Sequence, residues 1–411
     1  MRGLKATLLV TALAVSPLAV ASAACSVEGS GEVNILSNSF PAFAAIAKAV
    51  EECNRDGVKV TFKQTRDHEA EHSVFGGASS PYDMAGVANS SIAPLQAKGL
   101  LRPMNDLVAK YGPKYGLEDG MLIKFGDDIL GIAFMVNAQH LYYRKDILDK
   151  HGLKAPATYD EVLAVAEKLK ADKSVEFPLG GTYKSGWNLA QEFVNNYLGM
   201  GGEFFKPGTA EPAFNNPTGI KTLETMKRLT AHMSPNALAL DTTATVQQFQ
   251  QGQIAMANFW SSRAAAMDDP AESKVVGKIE FAPAPVMAPG QPPATTIWWD
   301  GFVMPKNLDG DPALTFQVMM EGLKAEVVAA NQGAAIWIRS NYVPGRYAQG
   351  TAASAEAGAP AYPMLPQQNV LHGTIGNNIG DFFAGKESAE QALADAEAAY
   401  TRAAKEAGLL N

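Results

Sequence analysis

Residues 127–148 read "DDILGIAFMVNAQHLYYRKDIL". Apolar, β-branched and aromatic residues fill the stretch, and no proline interrupts it. It reads as one extended segment, far longer than the usual strand of 5–6 residues. A segment of that length carries a chain out of one lobe and into another. The sequence on either side of it therefore has to supply two separate layers of structure.

Upstream, strand and helix patterns alternate. "EVNILSN" (32–38) reads as a strand and "PAFAAIAKAVEECN" (41–54) as the helix after it. "VKVTFKQT", "YDMAGVANSS" and the helical "SIAPLQAKGLL" continue the alternation. This is the pattern of an α/β layer with a largely parallel sheet. In such sheets ligands sit beyond the carboxyl ends of the strands, which directs attention to Ser37–Phe40, Arg66–Glu69 and Ala88–Ser91.

Downstream, Thr158 and Glu161 form a T-x-x-E capping box before a Leu163/Ala166/Leu169 stripe. Asn216 and Pro217 open a second helix, as N-cap and first helical residue. "TVQQFQQGQIAMANFW" reads as a helix stopped by Gly252, then a strand, with Trp260 in the loop beyond. "PAPVMAPGQPPAT" is a Pro/Gly-rich linker or crossing. Ser388, with Gln391 three residues on, starts a closing amphipathic helix.

The 411 residues suffice for two medium cores. Arg2 and Lys5, the apolar "ATLLVTALAVSPLAV" and the small "ASAA" read as a signal peptide over residues 1–24. Its cleavage changes the net charge from -8 to -10, with no basic stripe for nucleic acid. Export permits a disulfide between Cys25 and Cys53. The first strand rises about 23 Å. The returning helix covers about 21 Å, which brings Cys53 back beside Cys25. Two free thiols, or a lipidated Cys25, are the competing readings, although Ser22 stands where a lipobox would have leucine.

"HEAEH" (68–72) formally matches the H-E-x-x-H zinc signature, which makes His68 and His72 ligands and Glu69 a base. No third ligand stands at a suitable spacing, so a zinc hydrolase is the weaker reading and no metal or cofactor is expected. "LYY" at Tyr142 and Tyr143 is read as core packing, not as a ferric site. No nucleophile elbow, dinucleotide fingerprint or phosphate loop is present. The five tryptophans, from Trp187 onward, are more informative. Most stand at loop mouths or strand ends, as in "KSGWN", "ANFWSS" and "IWWDG". Aromatics there suit a flat-faced ligand such as a sugar, with Asp300, Asn38, Asn89 and Asn341 available to its hydroxyls. Trp298 and Trp299 cannot both enter one core, because adjacent strand residues point to opposite faces. The expectation is that one packs beneath the loop and that Trp299, nearer the Asp300-Gly301 bend, lines the cleft.

In "GIAFMVNAQHLYYRKDILDKHGLKAPATYDEVLAVAEKLK", "FPLGGTYKSGWNLAQEFVNNYLGMGGEFF", "AFNNPTGIKTLETMKRL", "FQQGQIAMANFWSS" and "DGFVMPKN", the chain resembles the extracellular solute-binding proteins of sugar ABC importers, the maltodextrin-binding-like group. The segments follow the family's order over nearly the whole mature chain. The resemblance implies an α/β, two-lobe periplasmic-binding-protein fold of type II, with crossing hinge strands and a ligand cleft between the lobes. It divides the chain into 25–136 plus 288–337 and 137–287 plus 338–411. It also implies a monomeric periplasmic binding protein, not an enzyme, that delivers a carbohydrate to a membrane permease. By family position, Asn38, Ser39, Phe40, His68, Glu69 and Asn89 face the cleft. Trp187 and Trp260 stack from the second lobe, and Trp298, Trp299, Asp300 and Gly301 come from the first. Arg339 and Asn341 lie near the last crossing, and Asp83 matches a frequently acidic position. Phe40 departs from the tryptophan of many sugar binders. Arg66, Arg263 and Arg339 leave room for an anionic substituent, so an anionic sugar derivative, a polyol or a polyamine stands as the alternative to a neutral sugar.

Overall fold

The computed structural model describes residues 25–65 and 74–411, and the segment read as one extended crossing is two strands in two sheets, followed from Lys145 by a helix (Lys145–Lys150). β5 (Asp128–Asn137) belongs to the first sheet and β6 (Gln139–Arg144) to the second, with only the buried Ala138 between them. The leader over 1–24 and the "HEAEH" stretch, with Arg66, His68, Glu69 and His72, lie outside the described residues.

The first sheet adds β1 (Gly31–Asn38), β2 (Val58–Thr65), β3 (Met84–Ala88), β4 (Leu122–Phe125), β10 (Trp298–Val303) and β11 (Ile336–Trp337). Its order is β11-β5-β10-β3-β1-β2, with β4 beside β5. The second sheet joins β7 (Phe177–Leu179), β8 (Ile254–Trp260) and β9 (Ile279–Ala282) to β6, in the order β7-β8-β6-β9.

A largely parallel sheet is only half right. β1 pairs parallel with β2 and β3, as helical crossovers require. β10 runs antiparallel to β3 and β5, and β11 and β4 run antiparallel to β5. β10 returns from the other lobe and enters the sheet from the opposite end, whereas the chain from Met304 to β11 stays with the first core. In the second sheet β6 is antiparallel to both of its neighbours.

Each sheet buries its own core. Val33, Ile35, Phe43, Phe134 and Phe302 fill the first, and Leu141, Phe193, Tyr197, Met256 and Leu371 the second. Tyr142 is core, fully buried, and its hydroxyl donates to the Trp260 carbonyl at 2.6 Å. Local signals hold where the sequence places them. Thr158 Oγ1 accepts from Glu161 N, and Glu161 Oε2 accepts from Thr158 N. Asn216 accepts from Gly219 N, and Ser388 from Gln391 N. The Cys25–Cys53 disulfide is formed, closing a loop of sequence separation 28. Ser26 then donates through its amide and hydroxyl to the buried Glu321, anchoring the start of the described chain.

β10 crosses between the two bodies. Its Trp298 packs in the second core, with Ala294 and Met287, although the strand itself pairs in the first sheet. Opposite Asp300 and Gly301, β5 presents Met135 and Ala133, so Phe134 is an extra residue and β5 is bulged. A Cβ on Gly301 would come within 2.6 Å of the Ile132 carbonyl oxygen and 2.9 Å of the Ala133 Cα. Gly301 is there for backbone approach. Gly301→Ala is expected to cost about 1–3 kcal/mol, read as a lowered denaturation midpoint, because backbone and not a pliable side chain has to yield.

Candidate ligand-binding chamber between the lobes

The carboxyl ends of β1 and β3 and the end of β8 converge on one chamber of about 70 Å³. Asn38, Phe40, Phe43, Ala88, Ser90 and Asp300 line it from the first lobe. Trp187, Thr242, Trp260, Ser262 and Arg263 line it from the second, and Trp298 and Asn137 from the crossing strands. Asn38, Phe40, Thr242 and Arg263 continue outward into a vestibule of about 620 Å³ that adds Ser39, Asn188 and Lys184.

Three indoles form the apolar wall. Trp187 and Trp260 lie with centroids 6.4 Å apart and planes 30° from parallel. Trp298 meets Trp187 at 5.7 Å and Trp260 edge-on at 5.8 Å. Gly186, at φ 92°, opens the Trp187–Gly199 helix with a left-handed turn that side-chain-bearing residues resist, so Trp187 emerges at the cleft. Behind this wall, Tyr362 lies 4.0 Å from the Trp298 ring. His372 Nε2 donates to the Trp187 carbonyl at 2.9 Å, leaving Nδ1 to accept from the Tyr362 hydroxyl at 2.9 Å.

Trp298 is further latched by a buried polar chain. Its Nε1 donates to Thr296 Oγ1, Thr296 Oγ1 to Asn195 Oδ1, and Asn195 Nδ2 to Gln139 Oε1. Gln139 Nε2 donates to Glu192 at 2.8 Å. Burial pushes the Glu192 carboxyl up to about 7, against the hydrogen bonds from Thr182 and Gln139.

The expected division of labour between the adjacent tryptophans is reversed. Trp298, 4% exposed, lines the chamber, whereas Trp299 packs on the far face of the first sheet with Leu36, Val87 and Val303. Alternation gives the reason: Trp298 and Asp300 are two residues apart and share a face, so choosing Asp300 for the cleft also chooses Trp298.

Other expected cleft residues are structural ties. Asn89 is buried and donates to the Ile297 and Tyr362 carbonyls, which steadies the crossing behind the wall. Asp83 stands at the amino end of β3, away from the cleft, and accepts from Asn34 N and Gly310 N. Arg339 spends its guanidinium on the Leu323, Gly116 and Tyr115 carbonyls. Asn341 is exposed and donates to the Ala325 carbonyl. None of Asp83, Asn89, Trp299, Gly301, Arg339 or Asn341 lines the chamber. Asp83, Asn89, Arg339 and Asn341 are near the cleft elements in sequence, but each makes hydrogen bonds to backbone that hold the fold.

Arg263, read from the sequence only as one of three arginines that leave room for an anionic substituent, lines the chamber. Its signal was its place three residues after Trp260, at a strand's carboxyl end. It lies over the Phe40 ring at 5.7 Å, a contact between lobes. Burial raises the Asp300 carboxyl to about 7, partly countered by Arg263. One grouping of potential metal donors occurs among the described residues, Cys25, Cys53 and Glu321, and its two sulfurs are joined in the disulfide.

A family model for bacterial extracellular solute-binding proteins matches residues 37–309. The chain belongs to that family. Among individual solute-binding proteins, a probable ABC transporter-binding protein of Deinococcus radiodurans is 27% identical over 183 residues, 42% of this chain and 43% of that relative's own length. The chain thus matches less than half the length of this relative. A mannitol-binding protein of Pseudomonas aeruginosa is 23% identical over 359 residues, 80% of this chain and 81% of its own. A solute-binding protein of Agrobacterium radiobacter, solved in complex with ribitol, superposes with a TM-score of 0.79 at 22% identity, covering 92% of this chain and all of that one. The two-lobe α/β fold of solute-binding proteins is therefore the fold of this chain. Among the described residues, no helix is long and apolar enough to cross a membrane.

Proposed function

We propose that this solute-binding protein takes up a neutral carbohydrate or polyol in the periplasm and presents it, as a monomer, to the permease of an ABC importer. One observation carries the reading. A chamber between two lobes combines a wall of three indoles with a carboxylate, a guanidinium, two asparagines and two serines. Indole faces suit the C–H face of a sugar or the backbone of a polyol, and the polar groups suit its hydroxyls. The mannitol-binding relative and the ribitol-bound neighbour support the ligand class. The export signal read over 1–24 supports the compartment.

The moving bodies follow the two cores, with crossings at Asn137–Ala138, at Ile297–Trp299 and near Val343. We set the second of these after the 287/288 boundary implied by the resemblance, a choice supported by the packing of Ala294 and Trp298 with the second core. Closure about these crossings would shut Phe40 and Asp300 onto the Trp187/Trp260 wall.

Thermal denaturation against a panel of neutral hexoses, hexitols, pentitols and disaccharides tests the reading. A cognate ligand at 100 times its Kd should add about 2.7 kcal/mol of stability. If no neutral carbohydrate or polyol moves the melting temperature, the reading fails.

A further inference from the structure

Among the described residues, two charged side chains line the chamber, Asp300 from the first lobe and Arg263 from the second. Neither has a protein partner by hydrogen bond or ion pair, and they do not pair with each other. Arg263 Nε is buried with no acceptor. Opposite charges in an aromatic chamber attract strongly, so their separation reflects where β10 and the Ser261–Asp268 turn hold them. In the vestibule, Lys184 and Asp241 face each other at 3.6 Å.

We infer that Asp300 and Arg263 act as a split ion pair that selects ligands by charge, accepting uncharged polyhydroxy compounds and rejecting both sugar acids and amino sugars. The inference rests on the carbohydrate-or-polyol reading of the same chamber. A hydroxyl both donates and accepts, so one neutral ligand can donate to Asp300 and accept from Arg263. Among the described residues, the two charges that line the chamber cancel once Asp300 is ionised. An acid ligand can pair with Arg263, but it leaves the chamber with a net negative charge beside Asp300. An ammonium ligand leaves the mirror-image excess beside Arg263. Buried net charge is costly, so discrimination comes from repulsion as well as attraction.

Removing one member should redirect the preference. Titration calorimetry at pH 8 with D-mannitol, ribitol, D-gluconate and D-glucamine compares wild type, Asp300→Asn and Arg263→Gln. The wild type should prefer the better neutral polyol over both charged compounds by about 100-fold. Asp300→Asn should improve the gluconate-to-polyol affinity ratio at least about tenfold, and Arg263→Gln the glucamine-to-polyol ratio by a similar factor. Asp300→Ser and Arg263→Met replace any variant whose urea midpoint shows that it does not fold. If the wild type binds neutral ligands and the variants keep its ranking, the charge selection is wrong and the carbohydrate reading survives. If the wild type binds gluconate or glucamine but no neutral sugar or polyol, both fall.

Discussion

Trp298→Ala is expected to abolish ligand binding and to cost about 3–5 kcal/mol of folding stability. Both effects have one cause. The indole lines the chamber and also fills the space between Trp187, Trp260 and Tyr362 in the second core. Its loss leaves a cavity at the crossing and removes one of the two hydrogen bonds that Thr296 Oγ1 accepts, the other coming from Gln191 Nε2. Trp299→Ala is the control. That ring packs in the far cluster of the first sheet, so its loss should lower stability while leaving the Kd within about threefold, since it touches no chamber surface. Ligand titrations and urea unfolding of the two variants separate the cases. Normal ligand affinity in Trp298→Ala would reduce that residue to packing. A larger binding loss in Trp299→Ala would restore the expectation drawn from sequence.

Reduction of the Cys25–Cys53 disulfide is the second large effect. With a sequence separation of 28, the chain-entropy relation gives a loss of about 3.5 kcal/mol. Cys53 is buried in the first core, and Ser26 hangs the adjoining residues on Glu321, so the native state keeps most of its contacts when the bond opens. Ligand affinity should hardly change, because neither cysteine lines the chamber. Urea unfolding with and without reductant, on native protein and on a Cys25→Ser/Cys53→Ser variant, measures the loss. Coincident midpoints would show that the bond constrains nothing in the unfolded chain.

Local chemistry was legible. The box at Thr158, the cap at Asn216 and the cap at Ser388 are decided within three or four residues, and each forms as read. The crossing was legible because the extended run, Asp128–Asn137 and Gln139–Arg144 in the structure, is longer than one strand usually is, although the reading carried it four residues into the helix Lys145–Lys150. Polar residues were harder to read. Asn89, Asp83 and Arg339 have the chemistry of ligand groups, yet their hydrogen bonds go to backbone groups contributed by distant parts of the chain. Arg263 shows the converse: nothing in "FWSSR" tells whether an arginine will find an acceptor.

The sequence by itself determined the alternation of elements, the crossing, the disulfide partners and the concentration of tryptophan near strand ends. These depend on periodicity and short-range spacing, which the chain carries in its order. Tertiary structure decided which face of β10 meets the cleft and which polar groups remain unspent there. Strand alternation says only that Trp298 and Trp299 diverge. The direction of each is set when β10 pairs with β5 on one side and β3 on the other, so that Trp298 and Asp300 turn toward the second lobe.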